Sequence, residues 1–202
     1  MNVLVLTSLG LEKDVERISR FLREAGNSVT VSVQAVGVED LRASGVELIV
    51  CHHHGKIISP EVIAAVSGWV VNLHPSMLPH CRGLHPILWS LATRAPLGAS
   101  LHFIDATIDT GPLIAQRPVE LDLQRETLRS SYQALQAAAE ALLVEAWPTR
   151  EAWQRLAIPQ QGGGTYFGKR DYPRLKSAIT TWDMPVADFI RRVAEGPQPQ
   201  VP

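Results

Sequence analysis

Asn72 and His74 stand two residues apart in the run Val71-Asn72-Leu73-His74-Pro75-Ser76, and on an extended chain that spacing turns both side chains to one face. A second polar stretch, Asp105-Ala106-Thr107-Ile108-Asp109-Thr110-Gly111, follows the apolar run that holds His102. Amide and imidazole groups can donate to an oxyanion, and imidazole and carboxylate groups can carry protons, so such a set can run acid–base chemistry at a carbonyl centre. Singly, each residue has a plainer reading: Asn at a strand end makes turns, His beside Pro satisfies local backbone, and Asp before Thr-Gly shapes a loop. His52-His53-His54 invites a metal reading, yet consecutive side chains on an extended chain alternate sides and no acidic partner sits at a ligating spacing. No metal is expected there. Cys51 ends an apolar strand and reads as a small buried hydrophobe, while Cys81 lacks the helix start or paired base that activates a thiol.

Both polar clusters fall where strands end, the place where an open parallel sheet binds ligands. Asn2–Thr7 is a near-continuous apolar run, and Leu11, Val15, Ile18, Leu22 and Ala25 recur at helical spacing before Gly26-Asn27, so a strand and an amphipathic helix follow. Val29–Val33, Glu47–Cys51 and Trp69–Leu73 read as further strands, with short helices near Glu39–Ala43 and after Ser59-Pro60. The alternation predicts a parallel, doubly wound sheet with right-handed crossovers. Ile87–Thr93 reads as a helix, Ala99–Ile104 as a strand and Leu113–Val119 as a strand that can pair beside it. From Glu126 to Trp147, Leu128, Tyr132, Leu135, Ala139, Leu142 and Ala146 form one apolar face, and Pro148 is expected to end that helix. Gly162-Gly163-Gly164, a short helix over Val186–Ala194 and a Pro- and Gln-rich end from Pro197 read as an appendage with a frayed terminus.

A chain of 202 residues with 46% hydrophobic and 19% charged residues suits one ordinary domain. A formal net charge of -1 gives no general attraction to nucleic acid or acidic membranes, so neither is expected as a partner. Two cysteines provide no disulfide framework, and the amino-terminal run lacks a basic leader and is too short for a membrane span. A cytoplasmic location is the expectation.

Taken together, Asn72-Leu73-His74-Pro75-Ser76-Met77-Leu78-Pro79, Arg82-Gly83, Gly98-Ala99-Ser100-Leu101-His102 and Asp109-Thr110-Gly111-Pro112-Leu113-Ile114 resemble the folate-dependent formyltransferase family. That family includes glycinamide ribonucleotide, methionyl-tRNA and sugar-nucleotide formyltransferases and the formylation domains of peptide synthetases. The resemblance implies an α/β, doubly wound, mostly parallel Rossmann-like fold, with the catalytic domain over residues 1–158 and a short C-terminal appendage and tail over 159–202. It places Asn72, His74 and Asp109 on the family's catalytic trio, and Ser76 and His102 on neighbouring motif positions. It implies that two loops, Gly55, Lys56, Ile57 and Ile58, then Ile104, Asp105, Ala106, Thr107 and Ile108, hold the pterin ring of the donor 10-formyltetrahydrofolate, largely through backbone groups. Asn72 and His74 would stabilise the alkoxide formed when an amine attacks the formyl carbon, and Asp109 would orient and charge-tune His74 while relaying the amine's proton. No covalent enzyme intermediate is expected.

The acceptor is read by elimination among family members. Thr7-Ser8-Leu9-Gly10-Leu11-Glu12 lacks the Gly-rich phosphate loop of the glycinamide ribonucleotide enzymes, and the large second domain and basic surface of the methionyl-tRNA enzymes are not expected of a chain this short and slightly acidic. A specialised-metabolite amine remains: an amino acid derivative, a carrier-protein-tethered aminoacyl group or an amino sugar. Lys169, Arg170 and Arg174 can reach a phosphate or phosphopantetheine but read more simply as a solvated basic loop. Two alternatives stand beside this reading, hydrolysis of 10-formyltetrahydrofolate by water and a noncatalytic folate-binding protein.

Overall fold

The computed structural model describes residues 1–196, so the end expected to fray from Pro197 lies outside the described residues. The apolar runs become β1 (Asn2–Leu6), β2 (Ser28–Ser32), β3 (Leu48–Cys51) and β4 (Val70–His74), joined through helices α1 (Glu16–Glu24), α2 (Val38–Ser44) and α3 (Pro60–Ala65). All four residues of β3 are buried, which is why that run does not alternate in polarity: helices cover both faces. Beyond β4 come β5 (Arg82–Gly83), α4 (Pro86–Thr93), β6 (Gly98–Phe103), β7 (Leu113–Pro118), α5 (Leu128–Ala146), α6 (Trp153–Leu156), β8 (Tyr166–Phe167), α7 (Tyr172–Ala178) and α8 (Val186–Glu195).

The main sheet has the order β2-β1-β3-β4-β6-β7. β1 runs parallel to β2 and β3, and β3 parallel to β4, whereas β6 is antiparallel to both β4 and β7. The sheet is therefore mostly parallel, and the uniformly parallel order predicted from strand and helix alternation gives way at β6. The reason is the connection: the segment after β4 carries only the two-residue β5 and the short α4 and stays at the end where β4 stops, so the chain re-enters the sheet in the opposite sense. That reversal sets His102 of β6 directly across from Asn72 of β4.

Helices α1 and α5 cover one face, where Val3, Val5, Val50, Val71, Leu73 and Leu101 meet Ile18, Leu22, Ala139, Leu142 and Leu143. Helices α2 and α3 cover the other through Leu41, Val62 and Val66 against Leu4, Leu6, Ile49, Cys51 and Val70. Helix α5 starts on a capping box, with Thr127 accepting from the Ser130 amide and Ser130 reaching back to the Thr127 amide. Pro148 does not end the helical path: it sits in the first turn of a 3-10 segment, Trp147–Ala152, that leads into α6, a position where its missing N–H costs nothing.

Residues after 158 do not hang free among those described. Leu175, Ala178, Met184, Val186, Phe189 and Val193 form a buried cluster with Ile87, Leu88, Trp89 and Leu91 of α4 and Leu128 and Leu135 of α5. Phe167 stacks on Trp89 at 4.0 Å between ring centroids, and β8 pairs with β5. Gly83 has φ of 92° and a Cβ there would lie 2.3 Å from the Phe167 carbonyl oxygen, so this strand pair exists only because residue 83 is glycine.

Candidate active site

Asn72 and His74 leave the same face of β4, and the loop after β6 brings Asp109 to them. Asp109 holds a left-handed backbone conformation with φ of 54°, one that Asp tolerates better than most residues. Its carboxylate is held from two sides: Oδ2 accepts from the Gly83 amide at 2.8 Å and Oδ1 from Asn72 Nδ2 at 3.3 Å. Gly111 makes the turn possible, because a Cβ there would lie 1.9 Å from the Phe103 carbonyl oxygen. Gln160 clamps the loop from outside, its Nε2 donating to the carbonyls of Asp109 and Gly111, each at 2.9 Å.

The hydrogen bonds decide which end of each ring can act. His74 Nε2 lies 3.0 Å from the Cys81 carbonyl oxygen; a carbonyl only accepts, so Nε2 carries a hydrogen. Nδ1 is then the end open to chemistry, and it faces Asp109 Oδ2 at 3.6 Å. This narrows the expectation that His74 donates to an alkoxide: its available nitrogen is better placed to take a proton beside a carboxylate. His102 Nδ1 lies 2.8 Å from the Phe103 carbonyl oxygen and Nε2 lies 3.1 Å from Asn72 Nδ2. By the same logic Nε2 accepts, so His102 orients the Asn72 amide with its N–H groups toward His102 and Asp109. The longer Asn72–Asp109 contact is the one a developing alkoxide can take over.

Burial pushes the His102 imidazole down to about 4, with the Asp109 charge opposing it, and burial with neighbouring His52 pushes His53 down to about 3. Unfolded, such a group binds its proton near pH ~6.5. Below that pH the unfolded chain takes up protons that the folded chain refuses, so stability present above pH ~6.5 drains away as the pH falls through about 4. The contribution from His102 is on the order of 3 kcal/mol by linkage. Urea unfolding midpoints should fall steeply across this window, and His102→Asn should flatten the fall; an unchanged slope would mean that His102 binds its proton equally in both states.

The trio lines a cavity of about 1590 Å³, larger than the ~300–1,000 Å³ typical of one small ligand. Gly55, Lys56, Ile57 and Ile58, and Ile104, Asp105, Ala106, Thr107 and Ile108, all line it too. Ile57 and Ile108 are 81% and 42% exposed, apolar side chains that a flat heterocycle would cover, so the walls fit a pterin. Asp105 Oδ1 accepts from the Thr107 amide at 3.1 Å and the Thr110 hydroxyl at 2.8 Å, which shapes the second loop. Ser76 and His102 lie beneath the cavity rather than in it, both buried, with the Ser76 hydroxyl donating to the His80 carbonyl. His52, His53 and His54 line the cavity. Lys169 and Arg170 also line it, whereas Arg174 is tied to the Val193 carbonyl of α8 at 3.1 Å.

Two groups of residues around the site escape a reading of sequence alone. Gln160 sits in no motif and acts through a contact fifty-one positions away. Gln136 and Glu140 also line the cavity, next to Tyr132 of the apolar face; their i, i+4 spacing on α5 was the available signal.

Comparison with known proteins adds the lineage to this geometry. The formyl transferase family model matches residues 16–147, and the chain belongs to that family. It is 35% identical over 101 residues to phosphoribosylglycinamide formyltransferase of Bacillus subtilis, covering 48% of this chain and 50% of that protein. It is 31% identical over 147 residues to methionyl-tRNA formyltransferase of a Cyanothece species, covering 70% of this chain and 44% of that protein. The chain thus spans about half the length of these curated relatives. Among solved structures, the formyltransferase PseJ from Anoxybacillus kamchatkensis, crystallised with UDP-4,6-dideoxy-4-formamido-L-AltNAc and tetrahydrofolate, shares 29% identity and superposes with a TM-score of 0.84, covering 96% of this chain and 100% of that one.

Proposed function

We propose that the protein transfers a formyl group from 10-formyltetrahydrofolate to the primary amine of a nucleotide-linked amino sugar. The observation that carries this reading is a single cavity with room for two ligands and the Asn72, His74 and Asp109 side chains on its wall. The full-length likeness to a structure crystallised with tetrahydrofolate and a formylated UDP-sugar supports the choice of donor and acceptor. The chemistry of the cavity lining agrees: Tyr166 and Trp182 are aromatic and half-exposed, and Lys169 and Arg170 are basic, a set that stacks a base and meets phosphates. A carrier-tethered aminoacyl group would use the basic pair but leave the aromatic faces idle. We read the enzyme as acting in the cytoplasm, on a small-molecule amine from specialised metabolism.

In this mechanism the formyl-folate supplies the activated one-carbon group. The loops 55–58 and 104–108 hold the pterin, so the formyl carbon comes to the carboxyl end of β4. Asn72, oriented by His102, donates to the formyl oxygen as it gains charge. His74 Nδ1 takes the proton that the attacking amine loses, and Asp109 stabilises the resulting imidazolium. The proton then passes to the departing folate nitrogen, so the enzyme is returned unchanged. Incubation with 10-formyltetrahydrofolate and the amine precursor of the neighbour's sugar, UDP-4-amino-4,6-dideoxy-L-AltNAc, should give a product one formyl group heavier by mass spectrometry. Folate turnover that proceeds equally without any amine would replace this reading with hydrolysis.

A further inference from the structure

The polar wall opposite the pterin loops is built but unsatisfied. His52 is fully buried, yet neither ring nitrogen has a hydrogen-bond partner, and Gln136 Oε1 is likewise buried and unpartnered. Glu140 Oε1 lies 3.8 Å from His52 Nε2, beyond hydrogen-bond reach, and Gln136 Nε2 lies 3.5 Å from His53 Nδ1. An unpaired buried polar group is costly, and several together persist only where something else offsets them. The His52 ring packs at a 42° tilt against His53, 4.1 Å between centroids, and Glu140 pairs with Arg17 at 3.5 Å, contacts that hold this wall in place.

The placement says which ligand they face. Ile58 and Ile104, which anchor the expected pterin loops, pack with the α2 and α3 side of the sheet. Gln136 and Glu140 ride on α5, which covers the opposite face. Asn72 and His74 stand at the sheet's carboxyl edge between the two walls, so a second ligand reaching the trio while the pterin is bound must lie against the α5 wall. The atoms on offer are a neutral His53 ring, an amide oxygen, a carboxylate and the two His52 nitrogens. That set is rich in acceptors, and it suits a ligand carrying several O–H and N–H donors at fixed spacing.

We propose that His52, Gln136 and Glu140 form the recognition wall for the acceptor sugar ring, hydrogen-bonding its hydroxyl and acetamido groups and placing its amine against Asn72 and His74. The proposal rests on the amino-sugar reading above and adds the residues that select the sugar. A site built to pair a hydroxyl rejects ligands that lack it far more strongly than an apolar pocket does, so an acyclic amine would be a poor acceptor.

His52→Phe and Gln136→Leu keep the shapes while removing the unsatisfied atoms. With UDP-4-amino-4,6-dideoxy-L-AltNAc and 10-formyltetrahydrofolate, each should raise the acceptor KM tenfold or more, leave the donor KM within twofold and keep or raise Tm. Glu140→Asp should recover more acceptor affinity than Glu140→Ala. A purely structural role would lower Tm and spare the acceptor KM, and either that pattern or a rise confined to the donor KM overturns the proposal. Wild-type enzyme that yields no formylated product from this sugar overturns the amino-sugar reading and the recognition wall together, whereas variants with wild-type acceptor KM overturn the wall alone.

Discussion

Asp109→Asn should slow formyl transfer by about 10³-fold, or ~4 kcal/mol of barrier, while leaving tetrahydrofolate binding within a few fold. The change is nearly isosteric, so the loop that lines the pterin side should stay in place. Electrostatics and hydrogen-bond polarity are what change. Asp109 accepts two N–H groups, from Gly83 and from Asn72, and an asparagine can accept through only one oxygen, so its NH2 must confront one of those donors. The carboxylate beside His74 Nδ1 also disappears, and with it the charge that favours an imidazolium at the moment the amine sheds its proton. His74→Ala should cost a similar factor, and the double variant little more than the worse single one, because the two act as a unit. Single-turnover rates with saturating donor would check this directly. Transfer within tenfold of wild type in both single variants would remove this pair from the chemistry.

The second large effect concerns stability. Phe189→Ala should destabilise the protein by ~3–5 kcal/mol, because this side chain of α8 is fully buried and packs with Trp89 and Leu91 of α4 and Leu135 of α5. The loss should appear as one cooperative transition that takes activity with it, since α4 follows the β5 strand whose Gly83 amide holds Asp109. Chemical denaturation followed by far-ultraviolet circular dichroism and by formyl transfer would read both. If the sheet keeps its transition while only the segment after residue 158 melts, the division at 158/159 marks independently folding parts.

Much of the architecture was legible because it depends on local pattern. Buried runs such as Leu48–Cys51 announce themselves by composition, and the apolar stripe from Leu128 to Ala146 by its period. Asn72, His74 and Asp109 could be picked out because their order and spacing form a motif, and the structure brings the three within contact. The expected pterin loops likewise meet on one cavity. What a motif could not supply was the use of each atom: the Cys81 carbonyl takes His74 Nε2, and the Phe103 carbonyl sets the His102 tautomer, both through chain geometry that no spacing encodes.

The amino-acid order by itself determined the longer elements, the α/β layering and the identity of the polar side chains, because helix and strand periods and turn residues are properties of short windows; the short β5, β8, α6 and α7 carried no such period. Only the tertiary structure decided the reversed direction of β6, the left-handed backbone at Asp109, the docking of α7 and α8 on α4, and the reach of Gln160 and the α5 polar stripe into the site. Each of these turns on contacts between segments far apart in sequence, whose free energy is settled by packing and by which buried donors and acceptors find one another.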